Sequence, residues 1–470
     1  MPMFISAFLG ALMGRSSMPG YLVVLASSMA GIGWLLISLA ATGFPKGSRG
    51  VALGCAFLSI VGVMRCQHAV SYRLEPQRIS CVGEVTMERT WGSGQKGIVS
   101  SPLGSLVVSP AVPIEEGQEV RLEGMSGPFD EVSPRTADGF DEEAYWRSKG
   151  AVGVFKGHVS PAGPSSGIVG SFLRLRLALK RRAMLGLPPL SRGYLLASWF
   201  GVKDPELVED HRRWGTSHIL AVSGFHVALL LGGLWFVFKP RRSGLLLGSL
   251  ALWVYVLMAG CPPSAVRAAC MAQLGMLGFL LGRGVRGMNL LFSGGWLMLM
   301  FNPWMAFDVG FRLSVLSVAV LLGVGGAVRG AWYPMVSLAV WLATYPLAAS
   351  TFGAVPVVGI LSNLVALPFF SIYLAAVFIL GVPSMLFNLG EVLMLPLEFV
   401  GELFASFMDS LCRFIPGWVP YVPFLAAVSV TVMSSSVLWG CGFRGVHLVI
   451  GFLAWVGLWS LCFLSVGFGL

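Results

Sequence analysis

Apolar runs of about 17 to 25 residues recur along this chain, separated by short loops that carry much of its positive charge, and a helix needs runs of that length to cross a bilayer. In hydrocarbon a backbone must satisfy its own hydrogen bonds, so wherever such runs cross they restrict the fold to helices or a closed barrel. Apolar residues make up 56% of the 470 and charged residues 11%, with a mean hydropathy of +0.78. Those values exclude an ordinary soluble globular protein and predict a mostly α polytopic membrane protein.

The first fifteen residues are apolar, end on Arg15 and lack a small-residue cleavage site, so they read as an anchor. Candidate spans Tyr21–Ala41 and Val51–Met64 complete a transmembrane anchor over residues 1–70, and Lys46 and Arg49 mark the loop between them as cytoplasmic. Residues 71–160 change texture. Pro, Gly and charge rise, and alternating runs such as Arg78-Ile79-Ser80-Cys81-Val82 and Glu119-Val120-Arg121-Leu122-Glu123 predict a small extracytoplasmic β domain. Residues 161–190 hold Phe172 to Arg182, too basic to span and too apolar for a free loop, which predicts a basic amphipathic interfacial helix.

Residues 191–470 resume the membrane pattern. Basic loops at Lys239, Arg241 and Arg242, at Arg283 and Arg286, and at Arg329 each fall two crossings apart, which is consistent if the span beginning at His218 starts outside. Further spans are expected at Trp332–Phe352, Val355–Leu380, Val422–Leu438 and Val446–Phe468, for about ten crossings in all. Glu391–Arg413, with four carboxylates and Pro396, reads as interfacial. Residues 71–160 hold nine Lys/Arg against thirteen Asp/Glu, so the basic excess behind the net charge of +10 belongs to the membrane portion. Positive-inside loops account for such an excess, and so does a cationic path for a polyanion.

Four polar constellations sit in or beside apolar runs. His218, Ser223, Gly224 and His226 form the first. A spacing of eight residues from one histidine to the other corresponds to about 12 Å of helical rise and roughly 80 degrees of rotation, too far to share one metal ion unless the helix breaks at Ser223-Gly224. The second is Cys261-Pro262-Pro263 followed by Arg267, whose guanidinium keeps its charge and must snorkel or find an acid, a carbonyl or water. Asp308 and Arg312 are the third, spaced to pair on one face, or leaving Asp308 to meet Arg267 or a histidine across helices while Arg312 faces a pore. The fourth, Tyr345-Pro346 and Ser362-Asn363 through Pro368, suggests a kinked or discontinuous helix around Asn363. No Walker loop, GxSxG, HExxH or dinucleotide fingerprint is present, so neither a soluble catalytic activity nor a cofactor is expected. The eight cysteines show no metal or disulfide spacing, although Cys66 and Cys81 flank the first polar region.

At these residues the chain resembles the ComEC-type competence family, inner-membrane channels for DNA uptake. HILAVSGFHV, PPSAVRAACMA, DVGFRLSVLSVA and YPLAASTFGAVPVVGILSNLVALP are similar to that family's elements in content and order, over about 150 residues. The run Gly139 to Gly150 is similar to the end of the OB-like domain of family members, which implies an OB-like barrel over residues 71–160. Bases would there stack on Trp91, Phe129, Phe140, Tyr145 or Trp146, although an acidic domain suits packing over a channel mouth equally well. Many members carry a C-terminal metallo-β-lactamase-like domain. No HxHxDH string occurs here, so the resemblance is to a short form and strand removal is expected from a separate nuclease.

The resemblance implies an inner-membrane channel conducting single-stranded DNA into the cytoplasm, served by an outer DNA receptor and a cytosolic helicase-type motor. Its path would be lined by His218, Ser223, Gly224, His226, Arg267, Asp308, Arg312 and Asn363. Two other functions fit the same residues. One is a membrane-embedded metal-dependent hydrolase or nuclease built on His218, His226 and Asp308, and the other is a transporter of another anionic polymer or lipid-linked substrate.

Overall fold

The computed structural model describes residues 1–13, 48–91, 94–129, 141–238, 242–325, 333–387 and 389–440. The expected spans at Tyr21–Ala41 and Val446–Phe468, the loop with Lys46, and the basic loop residues Lys239, Arg241 and Arg329 lie outside them. The chain divides into two compact units, residues 69–185 and the remainder.

Among the described residues two helices precede the barrel, α1 (Pro2–Met13) and α2 (Ser48–Ser71). In the smaller unit β1 (Gln77–Trp91), β2 (Gly94–Ser101), β3 (Gly104–Val108), β4 (Gln118–Gly127) and β5 (Gly153–Pro164) close into a barrel in the order β1-β2-β3-β5-β4. Only β3 and β5 pair in parallel. A bulge between Val85 and Met87 lets the long β1 pair with β4 along its first half and β2 along its second. The alternation read from sequence points Val85, Val99, Leu106, Val120 and Leu122 inward, and with Phe155 they fill the barrel. The small β domain expected over residues 71–160 is therefore a five-stranded barrel.

Helix α3 (Glu142–Ser148) starts at Asp141, whose carboxylate accepts from Ala144 N at 2.8 Å. It plants Trp146 against Ile98, Val107, Phe129 and Val154. This corrects the stacking expectation for two of its residues. Trp146 and Phe129 are core side chains with no open face for a base, and the Trp146 indole N–H donates to Glu142 at 2.9 Å. Tyr145 is half-buried with Arg89 and Lys149 over its ring, at 5.8 and 5.6 Å from the centroid. Trp91 closes β1, and its side chain, like Phe140, is outside the described set.

Helix α4 (Ile168–Gly186) is the segment expected at a membrane interface, and in the structure its basic face meets the barrel's β3–β4 loop. Arg176 pairs with Glu116, Lys180 reaches the same carboxylate at 2.9 Å, and Arg181 pairs with Glu115. Burial, with Arg176 beside it, pushes the Lys180 ammonium below its ordinary range, and Glu116 opposes that. Gly117 makes the approach possible. Its φ of +77° suits glycine, and a Cβ there would lie 2.7 Å from Gly170 O. Ile168, Leu175 and Leu185 on the same helix stay exposed.

The larger unit continues with α5 (Pro189–Leu195), a single π-type turn at Leu196–Phe200, α6 (Pro205–Arg213), α7 (Gly224–Phe238), α8 (Arg242–Met258), α9 (Pro263–Leu280), α10 (Gly287–Phe301) and α11 (Val309–Gly325). Then come α12 (Tyr333–Phe352), α13 (Gly359–Phe387), α14 (Gly390–Phe414) and α15 (Pro423–Gly440). Two short strands, β6 (Ala354–Pro356) and β7 (Trp418–Pro420), pair antiparallel, which is why α13 starts at Gly359 and not at the expected Val355. Both α12 and α13 run unbroken through their prolines, which removes the discontinuous alternative of the kinked or discontinuous helix expected there.

Among the described residues two helices, Pro334–Phe352 and Gly359–Phe387, are long and apolar enough to cross a membrane, against the ten expected. Five further apolar helices are shorter, because breaks cut runs that look continuous in sequence. Residues 217–223 are turns before α7, and Asn302-Pro303 opens a 3-10 turn before α11. A fifteen-residue helix such as α7 rises about 22 Å, short of a hydrocarbon core of about 30 Å. Cys66 and Cys81 are both free thiols, Cys66 lying 3.8 Å from Leu299 O.

Replacing Glu116 with Ala leaves Arg176 and Lys180 without their buried anion, a loss of about 3 kcal/mol for a broken buried pair. Urea-dependent proteolysis of the Glu116→Ala chain should show α4 released at lower urea. An unchanged midpoint would mean that Glu116 does not hold the helix.

Candidate functional site

The break expected at Ser223-Gly224 is where α7 begins. Ser223 N–H donates to His226 Nδ1 at 3.2 Å, and since a backbone N–H can only donate, Nδ1 is the acceptor and the imidazole proton sits on Nε2. His226 is 2% exposed, and its Nε2–H has no partner among the described residues. Ser264, at the start of α9, donates to Val222 O, and Gly224 faces Ala268 on the same helix, so α9 braces the break. His218 stays exposed within the preceding turns. Among the described residues no three His, Cys, Asp or Glu side chains gather to hold a metal ion, so His218, His226 and Asp308 do not form the metal centre weighed above.

Pro262 and Pro263 start α9 as expected, and Arg267 follows one turn later. Arg267 is 4% exposed, so it does not snorkel. Its Nε donates to Ser314 Oγ at 2.9 Å and its Nη1 to Met271 Sδ at 3.2 Å, and it forms no ion pair among the described residues. The expected pairing with Asp308 is therefore absent. Asp308 instead caps α11, its Oδ1 accepting from Phe311 N at 2.8 Å. Arg312 donates to Ala306 O with its guanidinium 5.8 Å from the Phe307 ring centroid. Asn363 lies near the start of α13 with a buried Oδ1 that has no partner among the described residues, beside Ser362, whose Oγ has none among them either.

A second group of polar side chains went unnoticed in the sequence. Buried His211 on α6 packs against Tyr194, Trp214 and Phe370. Its Nδ1 meets Thr216 O at 3.3 Å and Thr216 Oγ1 at 2.8 Å. The carbonyl can only accept, so Nδ1 carries the proton and Tyr194 OH donates to Nε2 at 2.8 Å. Trp214 Nε1 donates to Asp409 on α14 at 2.9 Å. Gly215, at φ +70°, lets the chain turn against α13, where a Cβ would lie 2.6 Å from Gly359 Cα. Glu398, buried on α14, caps α5 by accepting from Leu190 N at 2.7 Å, Ser191 N at 2.8 Å and Ser191 Oγ at 2.6 Å. The detectable signal was Leu207, His211 and Trp214, an i, i+4, i+7 stripe within a segment otherwise rich in charge.

These contacts lay α6 and the turn after it along the first part of α13, from Phe370 beside His211 to Gly359 beside Gly215. The outer face of α6 exposes Glu206, Glu209, Arg212 and Arg213. A charged face held beside a helix of membrane-spanning length requires water on that side.

The described residues thus form a mostly helical unit, with two helices long and apolar enough to cross a membrane and buried polar groups at its helix breaks, and a separate five-stranded barrel. The family profile described as "Competence protein" matches residues 200–460, and the chain belongs to that family. ComE operon protein 3 of Bacillus subtilis (strain 168) is 29% identical over 245 residues, which cover 49% of this chain and 30% of that relative. No solved structure matches.

Burial pushes His211 down from 6.5 to about 3, against the opposing pull of Thr216. A base whose folded pKa lies below its unfolded one contributes stability that is complete above pH 6.5 and is lost as the pH falls toward 3. Melting temperature should therefore drop on acidification from about pH 6.5, and His211→Gln should flatten the drop. Parallel curves for the two proteins would show that His211 is not buried neutral.

Proposed function

We propose that the chain forms a multi-pass, water-filled passage in the bacterial cytoplasmic membrane that conducts single-stranded DNA inward, with the barrel unit on the outer side. The observation that carries this reading is Arg267, a guanidinium buried among apolar helices and joined, among the described residues, to a hydroxyl and a thioether but to no carboxylate. A fixed positive charge without a counter-ion attracts an anion, and a phosphate backbone presents anions one after another. The charged face of α6 supplies the wet side such a passage needs. Membership of the competence family and the likeness to ComE operon protein 3 support DNA as the substrate.

His226 Nε2–H, Asn363 Oδ1 and Ser362 Oγ then serve as polar groups that water or the strand satisfies in passing. Asp308 keeps the start of α11, the helix that carries Ser314, in place. The protein conducts and does not cut. Energy and strand preparation come from a motor, a receptor and a nuclease supplied by other domains or proteins.

The test is transport of labelled DNA into the cytoplasm of cells in which the wild-type gene is replaced by Arg267→Gln or Asp308→Ala. Both variants should reach the membrane at normal levels and fail to take up DNA. Normal uptake in both would overturn the reading.

A further inference from the structure

At the C-terminal end of α6 a cluster of side chains remains that the passage does not use. Arg212 lies over the ring of Trp418, its Cζ 5.7 Å from the centroid, and Trp418 is 45% exposed. The ring is held firmly. Trp418 pairs with Pro356 in the β6–β7 ribbon, and two residues on Tyr345 OH donates to Pro420 O and accepts from Val422 N at 2.8 Å. Tyr421 beside it is 44% exposed. Arg413, in the last turn of α14, is exposed and forms no ion pair among the described residues. With Arg213, Asp409 and Cys412 it lines a cavity of about 160 Å³. Arg213 is held there by Asp210 and, at 3.9 Å, by Asp409.

We propose that Trp418, Arg212 and Arg413 form a docking platform for single-stranded nucleic acid, where a base stacks on Trp418 and the adjoining phosphate meets Arg413. The proposal rests on the passage argued above and adds the place where the strand is gripped beside it. A guanidinium lying over an indole puts positive charge beside an aromatic face, which suits a base and its phosphate together. Stacking is indifferent to sequence because every base has a π face, as a conduit for arbitrary sequence requires. Arg212 belongs both to this platform and to the exposed face of α6, so the platform borders the same water. An aromatic and arginine cluster also suits the headgroup region of a bilayer, and the experiment separates the two.

Binding is measured with the full chain in nanodiscs of zwitterionic lipid, using a single-stranded oligonucleotide and an abasic oligomer of equal length and charge. Wild type should prefer the base-bearing strand by about tenfold, Trp418→Ala should lose that preference, and Trp418→Phe should keep most of it. Arg413→Gln should weaken both oligomers alike and reduce the salt dependence by about one counterion. The assay involves no transport, so a result here stands apart from the outcome for Arg267→Gln in cells. The platform is overturned if Trp418→Ala keeps the base preference. It is also overturned if brominated lipids quench the emission that distinguishes wild type from Trp418→Phe, since the ring would then lie in the bilayer.

Discussion

A polar group enclosed by apolar helices must be answered by a partner, and the larger unit is organised around how each one is answered. Glu398 is tolerated because it takes three donors from the start of α5. His211 is tolerated because Tyr194 and Thr216 use both of its nitrogens, which in turn ties α5, α6 and the following turn together. Asp308 takes the free N–H groups of a helix start, where the backbone dipole favours its charge. Against that background the buried atoms without a partner among the described residues stand out, His226 Nε2, Ser362 Oγ and Asn363 Oδ1 with several indole N–H groups and the Tyr373 hydroxyl.

The same logic decides which features could be read from the sequence. The barrel was legible because strands with one buried face alternate at every second residue, as Glu119 to Glu123 do, and because its turns concentrate Gly and Pro. The packing of α4 was not, since an amphipathic basic helix looks alike whether it faces lipid headgroups or the Glu115-Glu116 pair. Trp146 and Phe129 misled for a related reason. An aromatic residue in a small barrel domain has the same composition signal in the core as on a binding face, and only the fold places it.

In the larger unit the positions of the polar clusters were visible, and so was the break before Gly224. Their partners were hidden because they come from distant segments: Ser314 for Arg267, and Tyr194 and Thr216 for His211. Among the described residues fewer helices reach spanning length than the hydropathy runs suggest, for a physical reason. Mean hydropathy does not register a turn such as residues 217–223, whose apolar side chains hide a backbone that leaves the helix. Three of the competence motifs, by contrast, fall at helix starts and the fourth runs from the end of α12 to the start of α13, and the family match over residues 200–460 covers all four.

The two ligands of Arg267 differ in kind. The Ser314 hydroxyl is a firm acceptor and sets the tilt of the guanidinium plane, whereas the Met271 thioether is soft, polarizable and a poor competitor for an N–H. Any harder oxygen that arrives displaces the sulfur at little penalty, and sulfur reclaims the proton when that oxygen departs. One firm contact and one soft one thus leave the guanidinium ready to change partner, which favours exchange over tight capture.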